Sequence, residues 1–281
     1  MEFSSLEGER QYAALVRAAD DLVIGLDFDG TLAPIVEDPE AADMHPDASG
    51  VLVKLAQQVR AIAVITGRPA RQVLALGELD LVGDAIAEAG RELFVLGQYG
   101  NERWTSRERR VISPKPPRGL ASFMSDLPRV LRRVGLPDAW IEEKGLAVAV
   151  HTRRLADPEG AFTTLLPVIT EEARSHDLDV EPGRYVIEVR APGRHKGNAV
   201  QLLAEELGAK GFVFVGDDLG DVEAFKAVME LRKSGMPTML VCSGSSEQTA
   251  LVELADVVVA GPDGVLGVLR ELTADIRHAR A

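Results

Sequence analysis

Cysteine is nearly absent from the sequence, with Cys242 the only one in 281 residues. A single cysteine cannot form an intrachain disulfide, which excludes a disulfide-stabilised scaffold and favours the reducing cytosol. No apolar run approaches the ~18 residues that a transmembrane helix requires, and the opening residues contain no basic segment followed by an apolar one. We therefore expect a soluble, unprocessed cytoplasmic protein that has no membrane partner.

Basic residues are also fewer than acidic ones. The chain has 31 basic and 44 acidic residues, which gives a formal net charge of -13. Such a balance repels nucleic acid unless a local basic run overrides it, and no such run is found. Apolar residues make up 46% of the chain, enough to form one or two packed cores. The composition predicts a folded protein with no nucleic-acid partner.

Short apolar runs alternate with helical segments at both ends of the chain, a pattern typical of a parallel sheet covered by helices. The predicted strands are Leu22 to Asp27, Ala61 to Thr66, Leu93 to Leu96, Phe212 to Val215, Thr238 to Val241 and Asp256 to Val259. The predicted helices between and after them are Pro46 to Val59, Ala70 to Leu76, Gly197 to Leu207, a helix from Val222, and Val265 to about Leu272. The predicted fold class is α/β.

The middle of the chain has a different pattern. After the proline-rich SPKPPRG, residues 113–192 contain predicted helices near residues 120–134 and 160–175 and several strands, two of which flank Gly145 as an antiparallel hairpin. We predict a parallel-sheet core formed by residues 1–112 and 193–281, interrupted by an α+β cap domain at 113–192. The cleft between core and cap is the expected ligand site.

The segment LDFDGTL, from Leu26 to Leu32, places two carboxylates at one strand end. Residues two apart on an extended chain project to one side, so Asp27 and Asp29 share one space while Phe28 points into the body. Two carboxylates that repel each other favour a bound cation, and hard oxygen ligands suit Mg²⁺. This segment predicts a magnesium site.

Three other segments complete a predicted phosphate site. FVFVGDDLGD brings Asp217 and Asp218 to the end of another strand, with Asp221 near the start of the next helix. Thr66-Gly67-Arg68 ends a strand, and Lys196 opens the helix after the insert. A hydroxyl, helix-terminal N–H groups and an ammonium are groups that bind phosphoryl oxygens.

These motifs, in this order, resemble those of the haloacid dehalogenase superfamily of phosphotransferases. The resemblance implies a Rossmann-like core with a C2B-like cap, and a catalytic set of Asp27, Asp29, Thr66 and Lys196. Asp27 would form an aspartyl-phosphate, while Asp29 would protonate the leaving group and then activate water. The implied Mg²⁺ ligands are Asp27, the backbone carbonyl of Asp29, Asp217 and Asp218.

Further segments resemble the trehalose-6-phosphate phosphatase family: ITGRP, LGQYGNERW, IEEKGLAVAVHTR and EPGRYVIEVRAPGRHKGNA. The implied substrate is trehalose 6-phosphate. The implied substrate-binding residues are Asp27, Phe28, Asp29, Gly67, Arg68, Gln98, Asn101, Glu142, Lys144, Arg153 and Glu188. The sequence departs from the family pattern in two segments. Residues 97–100 are Gly-Gln-Tyr-Gly where many members have Gly-Asn-His-Gly. Residues 220–222 are Gly-Asp-Val where many members have Thr-Asp-Glu, so the central Asp221 is kept.

Other interpretations remain open at this point. The chain could be a phosphatase for another sugar phosphate, such as sucrose 6-phosphate or a mannosyl-phosphoglycerate, or a hexose phosphomutase. It could also be a catalytically silent sugar-phosphate sensor, although a sensor has no need of the acid/base Asp29. Cys242 ends an apolar strand and is interpreted as core filling rather than as a nucleophile.

Overall fold

The structure is a computed structural model that describes residues 1–36, 38–183, 185–244 and 249–281. The chain forms two compact units: Met1–Ser113 together with His195–Ala281 (unit 1), and Pro114–Arg194 (unit 2). Among the described residues, every helix is too short or too polar to cross a membrane.

Unit 1 is built on a central sheet of buried apolar strands. Its strands are β1 (Leu22–Leu26), β2 (Ala61–Ile65), β3 (Glu92–Gly97), β4 (Glu102–Thr105), β9 (Gly211–Gly216), β10 (Thr238–Gly244) and β11 (Val257–Ala260). Within the described chain the order is β11-β10-β9-β1-β2-β3-β4, and all pairs are parallel except β3 with β4. β1 and β2 are buried along their whole length, as expected for parallel strands covered on both faces.

Helices cover both faces of this sheet. They are α1 (Leu6–Arg17), α2 (Ala48–Ala56), α3 (Ala70–Leu76), α4 (Leu79–Glu88), α7 (Lys196–Glu206), α8 (Val222–Lys233), the short α9 (Thr249–Val252) and α10 (Gly261–Arg280). One core packs Leu15 of α1, Leu52 of α2 and Leu269 of α10 against the sheet. The other packs Leu203 of α7 and Phe225 of α8 against the opposite face. Parallel strands thus lie between two apolar layers.

Unit 2 is a four-stranded antiparallel sheet, counted over its described residues, with helices on one face. The strands are β5 (Trp140–Glu143), β6 (Ala147–His151), β7 (Asp179–Gly183) and β8 (Val186–Arg190), and the helices are α5 (Leu120–Arg133) and α6 (Pro158–Ser175). Alternate residues of β6 and β8, such as Val148 and Val189, are buried against the helices. Glu188 and Arg190 therefore project from the opposite face of β8.

The α/β fold class predicted from the sequence is confirmed. Four of these helices and strands were not predicted: α1, α4, β4 and the short α9. The final helix extends from Gly261 to Arg280 instead of stopping near Leu272, since Ile276 continues its buried face beyond the first charged residues. Conversely, α2 begins and ends two to three residues inside its predicted bounds.

Candidate active site

Asp27 lies at the carboxyl edge of the central sheet, directly after β1. Its backbone N–H continues the pairing with β9 by donating to the carbonyl of Val215 at 2.9 Å. Because β1 lies between β9 and β2, the loops that follow all three strands meet at this edge. Asp27, Thr66 and Asp217 are all buried there.

Lys196, the first residue of α7, is buried between two carboxylates. Its Nζ lies 2.7 Å from Oδ1 of Asp27 and 2.8 Å from Oδ1 of Asp221. Burial by itself would lower the pKa of Lys196, but the attraction of Asp221 and Asp27 outweighs it and raises that pKa well above its usual value. Lys196 therefore remains a cation next to Asp27.

Four carboxylates form a compact acidic cluster around this ammonium: Asp27, Asp217, Asp218 and Asp221. One oxygen from each lies within 4.8 Å of the others. Both oxygens of Asp221 are held by the protein, because Oδ1 accepts from Lys196 while Oδ2 accepts from the backbone N–H of Asp217 at 3.0 Å. Oxygens of the other three members are better placed to bind an ion.

The charge balance of this cluster fits a divalent cation. The cluster contains four carboxylates, three of them buried, and the Lys196 ammonium offsets only one of their negative charges. Burial and the repulsion of Asp27 raise the pKa of Asp217 to about 10, and burial together with Asp221 raises the pKa of Asp27 well above its usual value. A cation with two positive charges and a preference for oxygen ligands would offset this repulsion. The structure thus supports a divalent-metal site formed by these carboxylates.

Gly30 allows Asp217 to approach the Asp27 loop. Its φ is +67°, and a Cβ at this position would lie 2.1 Å from Oδ2 of Asp217. The loop is also fixed from β10, where the Ser243 hydroxyl donates to the Gly30 carbonyl at 2.5 Å. The glycine of the LDFDGTL motif is therefore required for close contact as well as for the turn.

Asp29 has a different partner from Asp27. Its two oxygens accept from Nε and Nη2 of Arg68, each at 2.7 Å, and Nη1 of Arg68 donates to the Pro39 carbonyl. The Asp29 carboxylate is outside the acidic cluster, although the sequence predicted one shared space for it and Asp27. The side chain of Asp29 is 37% exposed, so it remains accessible to a substrate and to water.

The loop after β2 is hydrogen-bonded to the turn after β3. The Thr66 hydroxyl accepts from the N–H of Arg68 at 3.1 Å, and the N–H groups of Gln98 and Tyr99 donate to the carbonyls of Arg68 and Thr66. Gly67 faces Tyr99 so closely that a Cβ there would lie 2.9 Å from the tyrosine Oη. Tyr99 was not among the predicted site residues, although it occupies the position at which the Gly-Gln-Tyr-Gly segment departs from the family pattern.

The remaining predicted residues of unit 1 differ in accessibility. Gln98 is buried, and its carbonyl accepts from the side-chain amide of Asn101 at 2.8 Å. Phe28 is completely buried in the core, so only its backbone could touch a ligand. The structure therefore brings Gln98 and Asn101 to the Thr66 loop and directs the Phe28 side chain away from it.

The predicted residues of unit 2 form polar contacts of their own. Nζ of Lys144 lies 2.7 Å from Oε2 of Glu188, and Nη1 of Arg190 lies 3.6 Å from its Oε1. Glu142 pairs with Nε2 of His151 at 2.9 Å. Arg153 is exposed two residues beyond β6. Sequence reasoning missed Arg190, which alternates with Glu188 along β8 and so shares its face.

Comparison with known proteins identifies the family. The sequence model for trehalose-phosphatase matches residues 25–257, which include the acidic cluster, Lys196 and all of unit 2. The chain belongs to the trehalose-phosphatase family.

Individual relatives match about three quarters of this chain but a smaller share of their own length. The chain is 33% identical over 214 residues to an uncharacterized glycosyl hydrolase of Mycobacterium tuberculosis, covering 72% of this chain but only 15% of that protein. It is 26% identical over 229 residues to trehalose-phosphate phosphatase B of Arabidopsis thaliana, covering 74% of this chain and 56% of the relative. The chain thus spans only part of these relatives.

The fold of the trehalose-phosphatase family is also found among solved structures. The C-terminal domain of a Candida albicans trehalose-6-phosphate phosphatase aligns with a TM-score of 0.72 at 22% identity, covering 97% of this chain and 98% of that chain. This likeness shows the fold.

Proposed function

We propose that the chain is a Mg²⁺-dependent phosphatase that hydrolyses trehalose 6-phosphate through a phospho-Asp27 intermediate. The observation that carries the proposal is the buried contact of Lys196 with Asp27, 2.7 Å long, inside a cluster of four carboxylates. Family membership supports the reaction class. We place the reaction in the cytoplasm, the reducing compartment that a single cysteine favours.

Asp27 is positioned to act as the nucleophile. An oxygen of Asp27 attacks phosphorus, the bond from phosphorus to the sugar oxygen breaks, and the electron pair moves to that oxygen. Lys196 holds the attacking carboxylate and offsets the charge of the phosphoryl group, while the Thr66 hydroxyl binds a phosphoryl oxygen. When bound, Mg²⁺ supplies the positive charge that lets one anion approach another.

Asp29 is the proposed acid and base. It gives its proton to the departing sugar oxygen, then removes a proton from water, which attacks phosphorus and breaks its bond to Asp27. Arg68 holds both oxygens of Asp29 and so sets the orientation of the carboxylate. The products are free sugar and inorganic phosphate, and Asp27 is regenerated.

The sugar-binding residues are a further part of the proposal. Glu142, Lys144, Arg153 and Glu188 would bind the disaccharide hydroxyls, since these groups are both donors and acceptors and need carboxylates and cations alike. The polar contact of Lys144 with Glu188 supports this, because it provides a carboxylate and an ammonium side by side. From unit 1, Gly67, Gln98 and Asn101 would bind substrate through the Thr66 loop and its attached turn.

Phosphate release from a panel of sugar phosphates tests the proposal. We expect trehalose 6-phosphate to have the highest kcat/KM, and Asp27→Asn to lower kcat by about 10⁴-fold or more without changing the melting temperature greatly. Glu7→Gln, an exposed carboxylate on α1, is the matched control. A wild-type rate in Asp27→Asn would disprove the covalent mechanism. A kcat/KM ten times higher for sucrose 6-phosphate than for trehalose 6-phosphate would disprove the proposed substrate.

A further inference from the structure

One cavity of unit 1 lies away from the acidic cluster. A cavity of about 440 Å³ opens where β2 and β3 begin, lined in part by Ala61 and Glu92, the first residues of these strands. The acidic cluster lies at the opposite, carboxyl edge of the parallel strands. All lining residues belong to unit 1. The cavity is therefore distinct from the candidate active site and does not depend on the function proposed for it.

Two arginines that precede neighbouring strands line this cavity. Ala61 and Glu92 are partners in the parallel pairing of β2 with β3, so the residues before them, Arg60 and Arg91, are neighbours at the strand starts. Over the described part of the chain, neither forms a side-chain ion pair, although Arg60 adds to the attraction by which Lys210 lowers the pKa of Asp21. Two guanidinium groups in one lining repel each other, and the repulsion grows as they approach. Their juxtaposition favours an anionic ligand.

Arg103, which also lines the cavity, is already neutralised by an ion pair. Nη1 and Nη2 of Arg103 each lie 2.6 Å from an oxygen of Glu206, the last residue of α7. The Arg103 guanidinium also lies over the Phe94 ring, 5.2 Å from its centroid. Arg103 therefore forms part of the wall, and the cations of the lining that remain are Arg60, Arg91 and the more exposed Arg107.

Carboxylates complete the lining. Glu92 is 3.5 Å from Nη2 of Arg107, a loose contact, and Glu108 forms no side-chain ion pair with any residue that the structure describes. Carboxylate oxygens repel an anion but accept hydrogen bonds from hydroxyl groups. A ligand that suits this lining thus has an anionic end for the arginines and hydroxyls for the glutamates.

The chemistry selects a phosphate ester. A phosphoryl group has three terminal oxygens and a charge near -2, so it can bridge two guanidinium forks, whereas one fork already saturates the two oxygens of a carboxylate. The volume exceeds the needs of inorganic phosphate alone. We propose that this cavity binds a small hydroxylated phosphate ester, such as a sugar phosphate, through Arg60 and Arg91.

Equilibrium dialysis of the intact chain with radiolabelled glucose 6-phosphate tests this proposal. EDTA is present, so that no cation draws anions to the acidic cluster. We expect saturable binding that weakens by at least about tenfold in the double variant Arg60→Gln/Arg91→Gln and weakens with added salt. The matched control is Arg10→Gln/Arg277→Gln, which removes the same charge from exposed positions on α1 and α10 and is expected to bind like the wild type.

Three results would overturn the proposal. The first is the absence of saturable binding up to about 10 mM glucose 6-phosphate, a concentration high enough to detect Kd values in the millimolar range. The second is retention of binding in Arg60→Gln/Arg91→Gln. The third is citrate binding as tightly as glucose 6-phosphate. Retention in that variant would assign the binding to the active site, because Lys196 is unchanged. Amide chemical shifts provide a second readout, since ligand-induced changes are expected at the starts of β2 and β3. Melting temperatures confirm that both variants are folded.

Discussion

At the scale of single residues, the candidate site depends on which oxygens are already bound to protein. Asp221 uses one oxygen for Lys196 and the other for the N–H groups of Asp217 and Asp218. Asp221 therefore orients the Lys196 ammonium and the loop that follows β9. Asp27 keeps one oxygen that can bind a metal ion or a phosphoryl group. A charge of this kind is costly to bury unless it is fully hydrogen-bonded, which explains why Asp221 can be completely buried.

Gly30→Ala tests how closely the two loops approach. We expect a loss of about 1–3 kcal/mol in unfolding free energy, because an added Cβ would collide with Asp217 and the positive φ disfavours alanine. Urea denaturation measures the change. The control is Gly50→Ala in α2, where a Cβ meets nothing within 4 Å and a gain of about 0.5–1 kcal/mol is expected. Equal effects of the two substitutions would contradict the contact at Gly30.

Cys242 is predicted to be unreactive in the native protein. It is completely buried, and burial raises the pKa of its thiol to about 11, with Asp217 and Asp221 adding to the shift. The reactive thiolate is therefore scarce near neutral pH. Iodoacetamide at pH 8 should leave the folded chain unlabelled and label the urea-unfolded chain to one equivalent. Rapid labelling of the folded chain would refute the buried position.

At the scale of elements, α7 joins two distant parts of unit 1. It begins at Lys196 in the acidic cluster and ends at Glu206, which Arg103 of β4 holds by two hydrogen bonds. The unpredicted strand β4 thus fixes the far end of the helix that carries the site lysine. Sequence pattern gave little sign of β4, since its four residues, Glu-Arg-Trp-Thr, include two charged ones.

Glu206→Gln tests this attachment through pH. The hydrogen bond from Arg103 lowers the pKa of Glu206, so the ionised carboxylate stabilises the fold above its usual pKa of 4.5 and loses this effect as pH falls. Both side chains are partly exposed, so we expect a loss of less than about 1 kcal/mol at pH 7 that becomes smaller at pH 3. Urea denaturation at both pH values measures it. Glu230→Gln, in an exposed pair with Lys233, should change stability less. A difference as large at pH 3 as at pH 7 would contradict the ionic cause.

At the scale of the whole molecule, the chain divides into two units with separate cores. Unit 2 is continuous in sequence, and its two helices and four described strands enclose one apolar cluster. Unit 1 is assembled from the two flanking segments, which supply opposite halves of the central sheet and meet where β9 pairs with β1. A continuous segment with its own core is able to fold alone, whereas neither half of unit 1 contains a complete sheet.

Residues 114–194 are therefore predicted to fold when expressed alone. We expect a dispersed amide NMR spectrum and cooperative urea unfolding, because the cluster around Phe123 and Leu165 is contained within the segment. The control is Leu165→Ala in the same segment, which should cost about 2–5 kcal/mol by leaving a cavity. A collapsed, poorly dispersed spectrum for the unaltered segment would show that its core needs unit 1.

The amino-acid sequence by itself determined the α/β class and the residues that gather at one edge of the sheet. Continuous apolar runs such as Leu22–Leu26 specify buried parallel strands, and the carboxyl ends of such strands meet wherever the sheet forms. The motif residues after those runs could thus be placed together without coordinates. The cluster of Asp27 with Asp217 agrees with that placement.

Only the tertiary structure decided which side chains bind one another. The pairing of Asp29 with Arg68 and the proximity of Arg60 to Arg91 join residues about thirty to forty positions apart. Periodicity specifies the face and the end of an element, but partners are chosen by strand register and by loop packing. These depend on the whole sheet, which is why the arginine cavity had no signature in the sequence.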